Sequence, residues 1–554
     1  MKVVEDFIGT FNKHQSEMFN LLNTESKHQF RVPTGFGKGY VMIAHILNSI
    51  VNTEQSKFAI ASHRLSLNNQ HLRDLISFFI DFNLIGKVKF LTVGSQVLNI
   101  DKLFNDDYEL AKKFNNQLFD FNFGVDIKSK ISQSDIFLSS MIKKDINKIL
   151  TKNDNEGIKT IIITTYNSLD KLSEVNLDVI YLDEAHILAT NKEDADFRKS
   201  YEVIKSKKSF FFTATPKDMQ IEMLQEDGAS DIFLMNNEDI FGKSYEVSFV
   251  ECVQCGYITE PITHIAYPKE LNDGTNYDSI ENKSKFVKET FEAHESWLKT
   301  SSSRPELIDA KMLVRCKSVP SMWEMYYKLV SIMPTNVIVC AGASYNSTGE
   351  SNHVISGEWE KNRDEFVKKI QKVESNKKMI ILNYDIFSEG INVPGITGVM
   401  FLQGKMPSIP KVIQNVGRST RLHPIDRDRL RKGEIKVGGI DWIKPNCAVI
   451  IPYWDSTSEF TKRILVDIIR KLRSKLNFSP ALVLSVGDDF AKTNDKNDLE
   501  GLNKLDKSNK KWKLINEINQ EIESLNLLEE NEKEIKRLNS LSKLELLKEQ
   551  FGNR

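Results

Sequence analysis

The stretch Val32-Pro33-Thr34-Gly35-Phe36-Gly37-Lys38-Gly39-Tyr40 is a glycine-rich turn with a single lysine, and an apolar run over residues 41–47 follows it. Glycines allow backbone N–H groups to point into such a turn, and the dipole of a following helix favours an anion there. The pattern therefore predicts a phosphate-binding loop in which Lys38 reaches the β- and γ-phosphates of a nucleotide. It departs from the usual pattern at Gly39, where a serine or threonine normally supplies a hydroxyl to Mg²⁺.

The composition is that of an ordinary globular protein. The chain has 554 residues, 40% of them hydrophobic and 27% charged, and a length of about 150 residues per domain predicts three or four units. The formal net charge of -1 gives no global excess of basic residues, but a local basic groove is enough to bind nucleic-acid phosphates. Composition therefore leaves nucleic acid open as a partner.

Cysteine content and hydropathy indicate a soluble protein of the cytoplasm. Five cysteines in so long a chain do not form a disulfide framework, which favours a reducing compartment. Cys252 and Cys255 form one C-x-x-C pair, but no second pair stands at zinc-ligand spacing. The N-terminus lacks an apolar signal region, and no apolar run approaches the roughly 18 residues of a membrane span.

The first half of the chain contains a series of short apolar runs that predict buried strands. They cover residues 58–61, 88–93, 160–168, 177–183 and 210–213. Helical or irregular connections separate them, so a doubly wound parallel α/β sheet is the predicted fold. The irregular residues 101–150 are expected to form a surface insertion.

A helix is predicted just before the phosphate loop, from the spacing of apolar residues between Phe7 and Leu22. Gln15 lies on this helix. Its amide offers one donor and one acceptor group, which suits the edge of an adenine ring. The alternative is an ordinary glutamine on a helix surface.

Two adjacent acids, Asp183 and Glu184, end the apolar run that starts at Leu177. Ligands of a parallel sheet bind at the carboxyl ends of its strands. There the first acid can hold Mg²⁺ and the second can polarise an attacking water. The next apolar run ends in Thr213-Ala214-Thr215-Pro216, which brings two hydroxyl groups to a strand end.

Three of these segments, Pro33–Lys38, Asp183–His186 and Thr213–Pro216, resemble motifs I, II and III of the superfamily 2 DEAD/DEAH-type helicases. Within that superfamily the chain looks most like the type III restriction motor subunits and phage recombination helicases. The resemblance implies a second RecA-like domain that carries motifs IV to VI.

The second half of the chain has the features that this resemblance implies. Strands are predicted near residues 311–316, 336–340, 379–383 and 446–452, and helices from Pro320 and over 358–373. Ser388–Pro394 resembles motif V, and Gln414–Arg421 has the Q-x-x-G-R-x-x-R pattern of motif VI. Arg418 and Arg421 share one face of a helix. The resemblance implies that they neutralise charge at the γ-phosphate; a solvated helix face is the alternative for the pair alone.

The domain prediction is a first RecA-like domain over residues 1–235, a second over 236–475, and a helical C-terminal extension over 476–554. Apolar residues at spacings of three and four predict amphipathic helices in the extension. Those helices either pack back on the motor or dock a partner protein.

The resemblance implies ATP and Mg²⁺ as cofactors in a cleft between the two domains. The ATP-binding set is Gln15, Thr34, Gly35, Phe36, Gly37, Lys38, Gly39, Tyr40, Asp183, Gly390 and Asn392. Asp183 holds Mg²⁺ through water, and the catalytic set is Glu184, Gln414, Arg418 and Arg421 with Lys38. Nucleic-acid contacts are predicted at the strand-end residues Ser62, His63, Arg64, Thr165, Asn167, Arg315 and Ser388. Coupling between the domains is predicted for His186, Thr213 and Thr215.

The predicted function is a nucleic-acid-stimulated ATPase that translocates on duplex DNA and unwinds it, with DNA favoured over RNA. One alternative is a translocase or remodeller that acts with a partner such as a nuclease and does not separate strands. The other is a nucleotide-binding scaffold without hydrolysis, for which Gly39 is the evidence. We expect water, Asp183 and Thr34 to complete the metal shell that a hydroxyl at position 39 would otherwise enter. The Asn, Lys and Ile bias indicates an AT-rich genome, such as that of a phage or a low-GC bacterium.

Overall fold

A computed structural model of the chain describes residues 2–94, 100, 104–105, 107–123, 130–189, 196–216, 234–267, 279–343, 353–360, 363–384, 393, 395–402, 415–437, 440–452 and 483–486. These residues form two compact units, and the chain passes from the first to the second between Ile258 and Thr259. The first domain therefore extends beyond the boundary predicted after residue 235, because residues 243–246 add a strand to its sheet.

The first unit is built on an eight-stranded sheet. Its strands are β1 Lys27–Arg31, β2 Lys57–Ser62, β3 Val88–Val93, β4 Phe137–Ser140, β5 Lys159–Thr165, β6 Asn176–Asp183, β7 Lys205–Thr213 and β8 Lys243–Glu246. They lie in the order β4-β3-β5-β2-β6-β7-β1-β8, and all neighbours in this order are parallel. The five predicted strands correspond to β2, β3, β5, β6 and β7. All the carboxyl ends therefore meet at one edge of the sheet.

Strand β1 was not predicted, because its sequence KHQFR has a single apolar residue. Tertiary contacts hold it between β7 and the edge strand β8. The ring of Phe30 stacks on Phe212 of β7 at a centroid distance of 4.9 Å, and both rings are fully buried. The amide of Gln29 donates to the carbonyls of Met235 and Gly242 at 2.7 and 2.9 Å. A polar strand is thus stabilised by partners far away in the sequence.

Helices cover the sheet of the first unit. They are α1 Lys2–Ile8, α2 Lys13–Thr24, α3 Lys38–Asn52, α4 Leu65–Asp81, α5 Tyr108–Asn122, α6 Gln133–Ile136, α7 Lys143–Asn155, α8 Asp196–Glu202, α9 Glu238–Phe241 and α10 Phe249–Gln254. The helix predicted over residues 7–22 is in fact two helices, α1 and α2. The second starts at a capping box in which Asn12 and Gln15 exchange side-chain to backbone hydrogen bonds.

The predicted insertion at residues 101–150 is partly built into the sheet. It contains α5, α6, the edge strand β4 and most of α7. Phe137 of β4 stacks on Phe90 of β3 at a centroid distance of 5.5 Å. Since β4 pairs with β3, this segment extends the parallel sheet as well as covering the surface.

The second unit is built on a nine-stranded sheet in the order β13-β12-β11-β14-β10-β15-β16-β9-β17. Its strands are β9 Glu260–Tyr267, β10 Lys311–Arg315, β11 Ile338–Ala343, β12 His353–Ile355, β13 Glu358–Glu360, β14 Met379–Tyr384, β15 Gly398–Phe401, β16 Asn446–Pro452 and β17 Val483–Val486. All neighbours are parallel except at one edge, where β12 and β13 form an antiparallel hairpin beside β11. Two parallel α/β units in tandem confirm the predicted fold class.

The helices of the second unit are α11 Ile280–Ser301, α12 Val319–Ile332, α13 Arg363–Gln371 and α14 Pro424–Arg431. The helix predicted over 358–373 is wrong at its start, because residues 358–360 form β13 and pair with β12. In the predicted helical extension, residues 483–486 form a strand beside β9. The rest of that extension, residues 476–482 and 487–554, lies outside the described residues.

Candidate functional site

The phosphate loop follows β1 and leads into α3. The N–H of Val32 donates to the carbonyl of Thr213 at 3.0 Å, which continues the pairing of β1 with β7 to the start of the loop. Gly35 and Gly37 have φ angles of 91° and 99°, values that favour glycine. A Cβ at Gly37 would lie 2.7 Å from Nε2 of Gln15. The φ angle therefore requires glycine at position 37, and a side chain there would also displace the amide of Gln15.

Gly39 is different from Gly37. It is the second residue of α3, its φ is not among the positive values in the described chain, and a Cβ there would meet no atom within 4 Å. A side chain at position 39 is therefore compatible with the loop. The absence of the hydroxyl is a chemical difference from the usual pattern, and the backbone does not require it.

Gln15 packs directly against the loop. Its Nε2 donates to the carbonyl of Phe36 at 3.2 Å, and its Oε1 accepts from the N–H of Asn12 at 3.2 Å. Both ends of the amide thus have partners within the protein, so an adenine would have to replace one of them. The role of Gln15 in reading a base stays a prediction.

The other loop residues differ in exposure. Phe36 is buried and its ring meets the edge of Tyr257 at a centroid distance of 5.5 Å, while Gly35 is exposed and Thr34 half-buried. Tyr40 is 42% exposed, and its ring packs on Phe78 of α4. Phe36 therefore packs into the protein and anchors the loop, whereas Thr34 and Gly35 are accessible to a ligand.

Asp183 ends β6 and is nearly buried. Its Oδ1 accepts the N–H of Glu184 at 3.0 Å, and its Oδ2 lies 3.0 Å from Nε2 of His71. Burial would raise the pKa of Asp183, but the hydrogen bond from His71 and the charge of Lys38 outweigh it and lower the pKa to about 2. Asp183 is therefore a carboxylate with both oxygens oriented by the protein.

Glu184 has a left-handed backbone, with φ 55° and ψ 44°, which is uncommon for a residue with a Cβ. Burial would raise the pKa of its carboxyl group, but the nearby charge of Lys38 and a contact with His186 lower it. Its Oε2 lies 3.4 Å from Nδ1 of His186 and has no hydrogen bond among the described atoms. A strained turn thus presents a buried carboxylate with unused acceptor capacity.

His186, Thr213 and Thr215, the residues predicted to couple the domains, meet in one cluster. Nδ1 of His186 lies 3.0 Å from Oγ1 of Thr213 and 3.3 Å from Oγ1 of Thr215. The N–H of Thr215 also donates to Oγ1 of Thr213 at 3.1 Å. The cluster joins the acid pair to the end of β7, and its role in coupling the domains stays a prediction.

These residues fit a magnesium nucleotide. Oxygen ligands and phosphates are what Mg²⁺ prefers, and the two acids carry lowered pKa values next to a lysine at the start of a helix. The unused Oε2 of Glu184 is the kind of buried acceptor that a ligand or water would satisfy. Asp183 and the loop are the residues that would hold the metal and the phosphates.

The predicted nucleic-acid residues of the first unit lie together at the ends of β2 and β5, where Ser62 is in register with Thr165. Ser62 itself is fully buried, so its hydroxyl supports the strand end and does not face solvent. His63 and Arg64 are half-buried in the turn before α4, with Nε of Arg64 3.1 Å from Nε2 of His63. Thr165 is half-buried and Asn167 exposed.

The second unit places Arg418 and Arg421 around a helical turn over residues 415–419. Arg418 is buried, and burial together with the charge of Arg427 lowers the pKa of Arg421 to about 10. Arg315 is also buried, which does not favour it as a direct contact to a nucleic acid. Ser388, Gly390, Asn392 and Gln414 lie outside the described residues.

Several residues of the site were not found by sequence reasoning. His71 contacts Asp183, and the hydroxyl of Tyr166 donates to the backbone carbonyl of Asp183 at 2.6 Å. In the second unit Lys444 is buried. Its Nζ donates to the carbonyls of Ser419 and Arg421, at the end of the arginine turn, residues 415–421. His71 and Lys444 stand next to no motif in the chain. Tyr166 lies between the predicted contacts Thr165 and Asn167, but nothing in the sequence indicates its bond to Asp183, so only the tertiary fold could identify the three contacts.

The cysteines and the apolar segments add little to the site. All five cysteines are free thiols. The described residues contain no group of three or more His, Cys, Asp or Glu side chains arranged to hold a metal ion. Within the described ranges, no helix combines the length and the apolar character that crossing a bilayer needs.

Comparison with known proteins supports the motif assignments. Residues 3–218 match the family described as "Type III restriction enzyme, res subunit". A "Probable helicase A859L" of African swine fever virus (isolate Pig/Kenya/KEN-50/1950) is 26% identical over 256 residues, which cover 46% of this chain and 26% of the relative. "Putative helicase 22" of Sulfolobus islandicus filamentous virus is 24% identical over 402 residues, covering 71% of this chain and 57% of the relative.

Among solved structures, the type ISP restriction-modification enzyme LlaBIII, bound to DNA, has the same fold over 86% of this chain, with a TM-score of 0.52 and 14% identity. The match covers 31% of LlaBIII, and this chain spans about a quarter to somewhat over half of the length of the curated relatives. The predicted resemblance is confirmed: residues 3–218 match the res-subunit family of type III restriction enzymes, and the chain is similar to probable and putative viral helicases.

Proposed function

We propose that this chain is an ATP-dependent nucleic-acid helicase or translocase. The observation that carries the proposal is the arrangement in the first unit, where a phosphate loop, its lysine and two ionised acids meet at the carboxyl edge of one parallel sheet. Lys38 and the loop amides bind phosphates, Asp183 holds the metal through water, and Glu184 orients the attacking water. Bound Mg²⁺ would supply charge neutralisation at the phosphates.

For the second unit, we propose that Arg418 and Arg421 neutralise charge at the γ-phosphate, as the sequence resemblance implies. Lys444 and Asp426 support this assignment, because they hold the segment that carries both arginines. Lys444 donates to the carbonyl of Arg421 at 2.7 Å, and Asp426 accepts from the N–H groups of Ile443 and Lys444 at 2.9 and 2.8 Å. A segment anchored by buried polar groups can keep a charged side chain in one orientation.

Duplex DNA is the proposed polymer, ahead of RNA, because the first domain matches a restriction-enzyme subunit. Contacts at His63, Arg64, Thr165 and Asn167 would fall mainly on phosphates, so binding should weaken with salt and depend little on sequence. A partner protein that binds the C-terminal extension and a cytoplasmic location remain predictions from the sequence.

The first prediction concerns ATP turnover in the presence of DNA. Lys38→Ala and Glu184→Gln should each lower DNA-stimulated turnover by about 10²–10⁴-fold, because one removes the phosphate contact and the other the group that orients water. Turnover is measured with no polymer, with duplex and forked DNA, and with RNA. Lys143→Ala, an exposed lysine of α7, is the matched control and should leave turnover unchanged.

Strand displacement on forked DNA separates the remaining possibilities. Turnover with displacement supports the helicase, and stimulated turnover without displacement supports the translocase. Wild-type protein that binds ATP but does not hydrolyse it, with or without any of the polymers, would contradict both and leave the nucleotide-binding scaffold.

A further inference from the structure

One face of helix α4 carries two buried polar residues that the proposed chemistry does not use. Asn68 and His71 are 3% and 7% exposed, and residues three apart on a helix point to the same side. Buried polar side chains need hydrogen-bond partners. The partners of these two residues lie at the carboxyl ends of three different strands, β2, β5 and β6.

Asn68 connects α4 to the proposed nucleic-acid edge. The hydroxyl of Ser62 donates to Oδ1 of Asn68 at 2.7 Å, and Nδ2 of Asn68 donates to the carbonyl of Thr164 at 2.7 Å. Ser62 directly precedes His63 and Arg64, and Thr164 precedes Thr165. The amide of Asn68 therefore holds together the two strand ends that carry the proposed phosphate contacts.

His71 connects the same helix to the acid pair. Its Nε2 lies 3.0 Å from Oδ2 of Asp183, while Oδ1 of that carboxylate is taken by the N–H of Glu184. Rotation of the carboxylate would break one of these two bonds. The orientation of Asp183 therefore depends on where α4 places His71.

The helix between these two ends is short and regular. Arg64 is its N-cap residue, and a rise of 1.5 Å per residue puts His71 about 10 Å further along the axis. A regular helix is a rigid element that can carry a displacement from one end to the other. A phosphate that draws the turn at His63 and Arg64 would shift His71 along with it.

We propose that His71 is a positioning residue that couples nucleic-acid binding at the ends of β2 and β5 to the orientation of Asp183, with α4 as the connecting element. This inference rests on the proposed function, since it assumes DNA at the one end and a magnesium nucleotide at the other. It identifies a route to stimulation that lies wholly inside the first domain and runs through α4, which none of the assigned motifs contains.

The test compares basal and DNA-stimulated ATP turnover in His71→Leu, which keeps the volume but removes the donor, and in His71→Gln, whose Nε2 can replace that of the imidazole. The stimulation ratio is the rate of ATP turnover with DNA divided by the basal rate without it. We expect His71→Leu to reduce this ratio by about tenfold, which lies within the usual range of coupling between two sites. We also expect it to raise the half-saturating Mg²⁺ concentration, with DNA affinity unchanged. His71→Gln should restore most of the ratio.

A matched control shows whether the effect belongs to this position. His45 of α3 is as buried as His71 and contacts the hydroxyl of Tyr181 in β6, whereas the carboxylate of Asp183 has its hydrogen bonds to His71 and to the N–H of Glu184. His45→Leu should lose thermal stability and keep the wild-type stimulation ratio and Mg²⁺ dependence. An equal loss of stimulation in both variants would mean that the effect reflects general destabilisation.

A second pair of variants keeps the proposal falsifiable if His71→Leu does not fold. Asn68→Leu and Asn68→Ala should each lower the stimulation ratio, because each removes the hydrogen bonds that join α4 to the ends of β2 and β5. A stimulation ratio that stays at the wild-type value in folded His71→Leu or Asn68→Leu overturns the inference, as does an equal fall of basal and stimulated rates. Wild-type protein without any stimulation by DNA overturns the proposed function and this inference together.

Discussion

At the scale of single residues, Gly37 and Gly39 of the phosphate loop differ in whether the backbone needs a glycine. Gly37 combines a positive φ with a close approach of Gln15, whereas Gly39 sits in the first turn of α3 with open space beside it. Of these two residues, only Gly37 has a backbone conformation that requires glycine. The loop can accept at position 39 the hydroxyl that related phosphate loops use.

The second prediction follows from that difference. Gly39→Thr should fold normally and keep or raise ATP turnover, because the side chain enters open space and its hydroxyl can join the metal shell. Replacing a helical glycine also removes up to about 1 kcal/mol of backbone entropy cost. Turnover and thermal unfolding of the purified variant are the measurements.

Gly37→Ala is the control for this experiment. It should lower turnover strongly and cost about 1 kcal/mol or more in stability, because alanine disfavours φ near 99° and its methyl group would press against Gln15. Equal losses in the Gly37 and Gly39 variants would mean that the loop rejects any side chain, and would contradict the distinction drawn here.

At the scale of elements, β1 depends on aromatic packing across the sheet. Phe30 contacts Phe212 at 4.9 Å and Phe210 at 6.3 Å between ring centroids. The third prediction is that Phe30→Ala lowers the free energy of unfolding by about 3–5 kcal/mol, the usual cost of truncating a buried phenylalanine. The measurement is urea unfolding, in which the midpoint urea concentration should fall while the dependence of the free energy on urea stays constant.

Two further variants test whether packing is the cause. Phe30→Leu should cost less than about 1.5 kcal/mol, because it keeps most of the volume. Phe119 of α5 is 68% exposed, so Phe119→Ala should change stability by less than about 0.5 kcal/mol. A similar loss for Phe30→Ala and Phe119→Ala would show that β1 is not held by this aromatic contact.

At the scale of the whole molecule, buried histidines make stability depend on pH. Burial lowers the pKa of His45, His264 and His294 to about 3. An unfolded chain binds protons to these side chains below the ordinary pKa of about 6.5, while the folded chain does not. Their contribution to stability is therefore full above pH 6.5 and is lost progressively as the pH falls toward 3.

The fourth prediction is a fall in the free energy of unfolding between pH 6.5 and 5, with each of these histidines contributing up to about 1.4 kcal/mol per pH unit. His71 acts in the opposite sense, because the hydrogen bond and charge of Asp183 outweigh its burial and raise its pKa. Chemical unfolding at several pH values measures the slope. The slope should be smaller in His294→Phe, and an unchanged slope in that variant would contradict the assignment.

Much of the fold could be predicted from the sequence, for reasons that particular elements show. The strands β2, β3, β5, β6 and β7 are apolar runs bounded by polar residues, and burial on both faces of a parallel sheet makes such runs recognisable. β1 was missed because its sequence KHQFR has a single apolar residue. β12 and β13 were missed or misassigned because each has only three residues, too few to show an alternating pattern. The first domain ends after Ile258 and not after residue 235, because β8 pairs with β1 of the first sheet.

The sequence by itself determined the order of the motifs, the parallel sheets and the acid pair at the end of β6, because each depends on residues close together in the chain. The tertiary structure alone decided which residues surround those motifs. It brought His71 to Asp183 and Tyr166 to the same strand end, and in the second unit it placed Lys444 under the arginine turn. Hydrogen bonds between residues far apart in the chain leave no periodicity or spacing in the sequence, so only the folded chain reveals them.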